Sequence, residues 1–393
     1  MLKLYHIMTI TDSLLCNLSK KFCLFFDRTF TIPARGVILF VRKGILRRRI
    51  WVNLLMAINK AMRTVLKALS YGDINVQSSR AFANIKAIDP LKRFYRTIDT
   101  KIYNGDFEVP TRIYLPGEEL PSRNGMEGNT LPVLLFLHGG GWITESVDTY
   151  DRVCAGLARD TGHAVVSVGY RLAPEFRFPA GLEDCYAVAR AIYKNRFLLN
   201  VDPSRITLIG DSAGGNLAAA LSLMARDRGE FMPQQQILIY PAVNSDYSEA
   251  SPYPSVQENG TDFLLTRQKL CQYLEYYQSS EADRRNPYFA PILAPDLSHQ
   301  PRTLILTAQF DPLRDEGEAY GERLREAGNE VQIHRIKDAL HGFFALGIKY
   351  YHVQESFTLI NQFLEENDNS VWQQTSSLEK AGQCSQDISG DQQ

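Results

Sequence analysis

The chain has 393 residues, and its 43 Lys and Arg residues nearly balance its 44 Asp and Glu residues, which gives a formal net charge of −1 at pH 7. We expect no nucleic-acid partner. Apolar residues make up 45% of the chain, which is enough for a sizeable core. No run approaches the ~18 consecutive apolar residues that a membrane-spanning helix requires.

The first 72 residues differ from the rest of the chain in charge. They contain 13 Lys and Arg residues against only two acidic ones, Asp12 and Asp27. Over residues 45–69, apolar side chains recur near the helical period with Lys and Arg between them. This pattern predicts a basic amphipathic helix, either part of a lid over the rest of the chain or a contact with an anionic membrane surface. The apolar runs nearby are too short for an export signal, so we expect a cytoplasmic protein.

Strand and helix patterns alternate from residue 97 onward. The first two strands, 97–103 and 109–114, flank Asn104-Gly105 as a predicted hairpin. Six more strand patterns follow, separated by helical stretches, at 133–137, 164–168, 206–209, 237–240, 303–307 and 331–336. This alternation predicts an α/β fold, in which a mostly parallel sheet is covered by helices on both faces. The long break at 244–300, which includes a helical pattern over 266–277, is interpreted as an insertion.

Two glycine-rich motifs stand at the ends of predicted strands. The segment Gly210-Asp211-Ser212-Ala213-Gly214 follows a β-rich run and precedes a helix-forming run. This context is typical of the sharp strand-to-helix turn that exposes a nucleophilic serine, and the alternative is a serine in an ordinary helix N-terminal turn. The earlier motif, HGGGW at 138–142, is a loop whose bare backbone N–H groups can approach a substrate oxyanion. Together the motifs indicate acyl transfer and favour ester hydrolysis.

A nucleophilic Ser212 needs a general base and an acid that orients the base. Of the seven histidines, His341 directly follows the last strand pattern, in a loop that can reach a neighbouring strand, and the alternative is a packing or surface histidine. Between these two residues, Asp311 ends an apolar strand pattern and is the best candidate for the acid. Asp315 is its competitor, although it fits the start of the following helix.

The chain resembles the hormone-sensitive-lipase-like branch of α/β-hydrolases, which includes bacterial acetyl esterases, carboxylesterases and arylacetamide deacetylase. The resemblance rests on six motifs in order: HGGGW at 138–142, YRLAPE at 170–175, FPAGLED at 178–184, GDSAGGN at 210–216, DPLRDE at 311–316 and HGF at 341–343. Members of this branch often have His after the APE of the second motif, where this chain has Phe176, a difference that concerns local packing alone.

The resemblance implies the roles of six residues. It makes Ser212, Asp311 and His341 the catalytic triad, and it makes the backbone N–H groups of Gly139, Gly140 and Ala213 the oxyanion donors. It also implies an α/β-hydrolase fold with a helical cap and favours a lid for the basic segment. We therefore expect a basic helical cap region over residues 1–90 and a catalytic domain over 91–365 with a cap insertion at about 244–300. The composition of residues 366–393, rich in Ser, Gln, Asp and Asn, predicts a disordered tail.

The function implied in this way is that of a serine carboxylic-ester hydrolase for short-chain acyl esters, a small-molecule substrate, with no metal or organic cofactor. An N-acyl deacetylase or amidase would use the same triad, and an interfacial lipase would use the basic segment as an anchor. A ligand receptor on the same fold is disfavoured because His341 and its acid are both present. Peripheral membrane contact through residues 45–69 and assembly as a homodimer stay open.

Overall fold

One eight-stranded sheet organises the part of the chain that the computed structural model describes, which comprises residues 72–89, 92–117, 130–194, 201–346 and 350–366. The strands are β1 Thr97–Asn104, β2 Phe107–Tyr114, β3 Leu131–Leu137, β4 Ala164–Val168, β5 Val201–Asp211, β6 Gln235–Ile239, β7 Arg302–Phe310 and β8 Val331–Leu340. Their order is β1-β2-β4-β3-β5-β6-β7-β8. The β1–β2 and β2–β4 pairs are antiparallel and the other pairs are parallel, so the predicted mostly parallel sheet is confirmed.

Helices cover both faces of this sheet. They are α1 Val76–Lys86, α2 Asp151–Thr161, α3 Ala180–Tyr193, α4 Ala213–Arg228, α5 Pro254–Asn259, α6 Arg267–Tyr277, α7 Arg314–Glu326 and α8, residues 351–366. Because side chains alternate along a strand, β3 sends Val133 and Leu135 toward α3 and α4, and Leu134 and Phe136 toward α2 and α8. Burial on both faces explains why this strand is a continuous apolar run in the sequence.

The carboxyl ends of the parallel strands bring three predicted residues to one edge of the sheet. Ser212 follows the last residue of β5, Asp311 follows the last residue of β7, and His341 follows the last residue of β8. Parallel strands end at a common edge, where ligands bind in open α/β sheets. Residues about 130 positions apart, such as Ser212 and His341 with a separation of 129, therefore meet there.

The insertion predicted at 244–300 lies between β6 and β7 and is helical. It contains α5, α6 and two short 3₁₀ helices, Glu281–Arg285 and Pro291–Leu293. The helix α6 agrees with the helical pattern over 266–277, and the Thr266 side chain caps it by accepting from the Lys269 N–H. The segment before α1 contacts this insertion, since the Asp73 carboxylate accepts from the side-chain amides of Gln268 and Gln272. We call residues 244–300 the cap segment.

Two of the sequence predictions lie outside the described residues. The basic segment 45–69 belongs to residues 1–71, and the predicted tail 366–393 lies outside except for residue 366, which ends α8. The lid or membrane role of the basic segment and the disorder of the tail stay predictions, and so do the domain boundaries at residues 90 and 365. Among the helices within the described ranges, none has the length and apolar character needed to cross a membrane.

Candidate active site

Ser212 occupies a strained turn between β5 and α4. Its φ of 55° lies in the left-handed region, which is unusual for a residue other than glycine and is typical of a nucleophile elbow. The Ser212 N–H donates to the Ile239 carbonyl of the neighbouring strand β6, at 2.8 Å. A Cβ atom at Gly214 would overlap the carbonyl oxygen of Leu137, so this position of the motif requires glycine for close packing. The turn therefore lifts the serine hydroxyl above the sheet edge.

Three side chains form a continuous hydrogen-bonded chain at this edge. The Ser212 Oγ lies 2.9 Å from His341 Nε2, and His341 Nδ1 lies 2.7 Å from Asp311 Oδ2. The Asp311 side chain is fully buried, while the His341 side chain is 12% exposed, so the imidazole reaches the cavity and the carboxylate does not. The other Asp311 oxygen accepts the Leu313 N–H at 2.9 Å, which fixes the carboxylate.

Asp315, the competing acid, faces a different partner. Its carboxylate accepts the Ser255 N–H at 2.7 Å and pairs with Arg314 at 2.7 Å. Burial opposes ionisation here, but the ion pair with Arg314 and the Ser255 N–H lower the pKa of Asp315 below its usual value. This carboxylate therefore ties the start of α7 to α5. The geometry favours Asp311 as the partner of His341.

The loop after β3 differs from the prediction at one oxyanion donor, Gly139. The Gly139 N–H donates to Asp211 Oδ1 at 2.9 Å, so it is not available to a substrate oxyanion. The N–H groups of Gly140 and Gly141, by contrast, have no acceptor among the described residues. Ala213 is the first residue of α4, where no helical carbonyl can accept its N–H. The free donors around Ser212 are therefore those of Gly140, Gly141 and Ala213, so Gly141 has a free N–H where the prediction named Gly139.

The carbonyl in the same peptide group sets the orientation of each glycine N–H, of Gly140 and of Gly141. The Gly139 carbonyl accepts from His138 Nδ1 at 2.8 Å, and burial lowers the pKa of His138 to about 4, so the ring is neutral. The Gly140 carbonyl accepts the Ile143 N–H, the Thr144 N–H and the Thr144 hydroxyl, at 2.9–3.2 Å. A trans peptide is planar, with its C=O and the following N–H pointing in opposite directions. Anchoring each carbonyl therefore aims the next N–H toward the opposite side.

A cavity of about 190 Å³ opens above Ser212. The cap segment contributes Leu265, Leu270 and Tyr273 to its walls. A Cβ atom at Gly141 would overlap the Tyr273 ring, so this ring lies directly on the glycine loop. Trp142 of the same loop stacks on Tyr277 of α6, with ring centroids 4.5 Å apart and an interplanar angle of 4°. The cavity is small and has predominantly apolar walls on its cap side.

Two buried acids near the elbow carry roles that the sequence did not suggest. Asp211 accepts hydrogen bonds from Tyr150 and Tyr240 as well as from Gly139. Glu316 accepts from the N–H groups of Val243 and Asn244 and from a tyrosine hydroxyl, and it thereby holds the first residues after β6. Burial raises the pKa of Asp211 to about 6 and that of Glu316 to about 8. Asp211 stands inside the GDSAGG motif, but neither tyrosine has a local sequence signal. Within the described ranges, no group of three or more His, Cys, Asp or Glu side chains is arranged to hold a metal ion.

Comparison with known proteins defines the class of this fold and site. A family model described as alpha/beta hydrolase fold matches residues 134–345, a range that includes the glycine loop, the elbow and His341. The chain belongs to the α/β-hydrolase family, in its hormone-sensitive-lipase-like branch, so the predicted fold and family are confirmed.

Individual relatives are named as ester-cleaving enzymes. An ethyl acetate hydrolase from Pseudomonas putida is 36% identical over 235 residues, which cover 60% of this chain and 73% of that protein. Carboxylesterase NlhH from Mycobacterium tuberculosis is 40% identical over 221 residues, which cover 55% of this chain and 68% of that protein. Among solved structures, an esterase from Pyrobaculum calidifontis is 37% identical with a TM-score of 0.69, and the match covers 78% of this chain and 98% of that one.

Proposed function

We propose that this protein is a serine carboxylesterase that cleaves short-chain acyl esters with the triad Ser212, His341 and Asp311. That the protein is an ester hydrolase follows from its family and its relatives. The proposal concerns the residues that carry the reaction and the size of the substrate. The observation that carries it is the hydrogen-bonded chain from Ser212 Oγ through both nitrogens of His341 to Asp311, at 2.9 and 2.7 Å.

The reaction begins with attack by the serine oxygen on the ester carbonyl carbon. His341 Nε2 accepts the proton of the Ser212 hydroxyl as the new C–O bond forms. Asp311 holds the Nδ1–H of the same ring, which keeps the correct tautomer and stabilises the imidazolium. The carbonyl oxygen becomes an oxyanion, and the N–H groups of Gly140, Gly141 and Ala213 donate to it. In comparable sites one such donor stabilises the transition state by about 3–4 kcal/mol.

The second half of the reaction returns the enzyme to its starting state. His341 gives its proton to the leaving alkoxide oxygen as the C–O bond of the tetrahedral intermediate breaks, which leaves an acyl group on Ser212. A water molecule then gives a proton to the same nitrogen and attacks the acyl carbon. The oxyanion forms again on the same donors, and as it collapses the bond to Ser212 Oγ breaks, the acid is released and His341 returns its proton to the Ser212 oxygen.

The cavity supports a small, uncharged acyl group. Its volume of about 190 Å³ is below the ~300–1,000 Å³ typical of pockets for drug-sized ligands. The cap-side walls at Leu265, Leu270 and Tyr273 offer apolar surface and no charge. Together these features favour acyl chains from acetyl to roughly hexanoyl, the range that the family resemblance suggests.

The test compares wild type with Ser212→Ala on nitrophenyl esters of increasing acyl length. The variant should lose several orders of magnitude in kcat with its fold intact, because the nucleophile is gone and the turn remains. Ser222→Ala is the matched control, since Ser222 lies on α4, the helix that follows the elbow, and its hydroxyl donates to Gln300 instead of a histidine. A Ser212→Ala enzyme with a tenth of wild-type activity would disprove the triad. Faster cleavage of acetanilide than of nitrophenyl acetate would instead identify an amidase.

A further inference from the structure

The carboxylate of Asp211 is a hydrogen-bond centre that the proposed reaction steps do not use. It stands next to Ser212, and the residue is 2% exposed. Oδ1 accepts the Gly139 N–H at 2.9 Å, and Oδ2 accepts the hydroxyls of Tyr150 at 2.8 Å and Tyr240 at 3.2 Å. These donors come from two connections of the fold, because Gly139 and Tyr150 stand near the two ends of the β3–α2 connection and Tyr240 directly follows β6.

On one side, Asp211 fixes the start of the glycine loop. The peptide between His138 and Gly139 is held at both ends, because its carbonyl accepts the Tyr170 hydroxyl at 2.7 Å and its N–H donates to Asp211. Two anchors on opposite edges of a planar peptide prevent it from rotating. The next peptide carries the N–H of Gly140, so its direction depends on the plane that Asp211 holds.

On the other side, Asp211 reaches the loop that carries His341. The Tyr240 hydroxyl, which donates to Asp211, also accepts the Phe344 N–H at 3.2 Å. The Tyr240 ring lies against the imidazole of His341, with 4.8 Å between the ring centroids. The turn after β8 is therefore connected to the same carboxylate as the glycine loop.

We propose that Asp211 is a positioning residue that holds the oxyanion donors and the general base in register with Ser212, acting through the Gly139 N–H, Tyr150 and Tyr240. This inference rests on the proposed function, because it assigns a role relative to that triad. A carboxylate suits the place because all its partners donate, and an ionised carboxylate only accepts. Burial raises the pKa of Asp211 to about 6, so the group is ionised at neutral pH. Burial also raises the pKa of both tyrosines, which therefore stay protonated donors.

The experiment uses Asp211→Asn, Tyr150→Phe and Tyr240→Phe in the full chain. Asp211→Asn should lower kcat roughly 100-fold with little change in KM, which is about the effect of losing one oxyanion donor. Each tyrosine variant should lower kcat about tenfold, as expected for one hydrogen bond to a charged group. Affinity for a trifluoromethyl ketone, which forms a tetrahedral adduct on Ser212, should fall by the same factor as kcat/KM.

The matched control is Tyr186→Phe. Tyr186 is also buried, and its hydroxyl also bonds to a carboxylate, that of Glu230 at 3.0 Å, but it lies on α3 outside the cavity walls. We expect wild-type kcat and wild-type ketone affinity from this variant. If Tyr150 and Tyr240 had a purely structural role, their variants would change the melting temperature but leave the ratio of ketone affinity to substrate affinity as it is in wild type.

The double variant Asp211→Asn/Tyr150→Phe tests whether the tyrosine acts through Asp211. It should be no slower than Asp211→Asn alone, because the group that Tyr150 holds is already altered. Fully multiplicative losses would contradict the proposal, and so would a kcat within about threefold of wild type in the single variants. If Asp211→Asn does not fold, the tyrosine variants alone decide, since they keep the carboxylate and both rings. Labelling of Ser212 by a fluorophosphonate is measured separately in the wild-type protein. If Ser212 is not labelled, the triad assignment is contradicted, and not the role of Asp211.

Discussion

The carboxyl edge of the sheet and the cap segment meet at the same cavity, and they are built in different ways. At the sheet edge, the side chains of Ser212, His341, Asp311 and Asp211 all have hydrogen-bond partners at 2.7–3.2 Å. The cap segment meets the cavity mainly with apolar surface. Hydrogen bonds fix direction, whereas apolar packing fixes volume. Rate and substrate size should therefore respond to different substitutions.

The largest effect is expected from a substitution of Asp311 at the sheet edge. Asp311→Asn should lower kcat by about four orders of magnitude, because an amide can hold the wrong tautomer of the imidazole and does not stabilise its cation. Asp315→Asn is the matched control, four residues along, and we expect it to stay within several-fold of wild type. Steady-state kinetics on nitrophenyl acetate measures both. The reverse order of losses would transfer the role of the acid to Asp315.

A smaller effect, on selectivity, is expected from the cap segment at Tyr273. Tyr273→Ala removes a ring from the cavity wall, so longer acyl chains should fit. We expect the ratio of kcat/KM for octanoyl over acetyl nitrophenyl esters to rise roughly tenfold. Tyr276→Ala is the control, because Tyr276 lies on the same helix but bonds to the Ile74 carbonyl and does not line the cavity. An unchanged ratio in Tyr273→Ala would mean that the cap does not limit chain length.

The smallest effect is expected on stability, at Glu316 of α7, whose carboxylate binds the Val243 and Asn244 N–H groups where β6 continues into the cap segment. Its pKa is raised from 4.5 to about 8, so between these values the folded protein keeps a proton that the unfolded chain releases. The free energy of unfolding should therefore fall as pH rises through this range, with a slope of at most about 1.4 kcal/mol per pH unit from this group.

Urea unfolding between about pH 5 and pH 8 measures that slope. Glu316→Gln should make it shallower, because the amide does not titrate and its carbonyl oxygen can still accept the Val243 N–H. Glu230→Gln is the control, since the ion pair with Lys194 lowers the pKa of Glu230 and its contribution changes only at more acidic pH. A slope that Glu316→Gln leaves unchanged would show that this carboxyl group does not titrate in that range.

The fold, and the meeting of the three predicted triad residues at one edge of the sheet, could be predicted from the sequence because the strand positions decide where these residues lie. Ser212, Asp311 and His341 each follow a recognisable strand, and parallel strands end at one edge. The choice among glycine N–H groups needed the structure. Gly139 and Asp211 are 72 residues apart, and no motif indicates that their hydrogen bond occupies the Gly139 N–H, one of the predicted oxyanion donors. Tyr150 and Tyr240 were missed for the same reason, since long-range hydrogen bonds leave no periodicity.

The stacking of Trp142 on Tyr277 has a consequence for turnover. Trp142 continues directly from the glycine loop, and Tyr277 is the last residue of α6. A bulky ester or inhibitor that displaces α6 would separate these rings and uncover the loop that carries Gly140 and Gly141. Displacement of α6 would thus also disturb the glycine loop beside Ser212. We therefore expect a ligand too large for the cavity to distort the glycine loop as well as bind poorly, while substrates that fit leave the loop as it is.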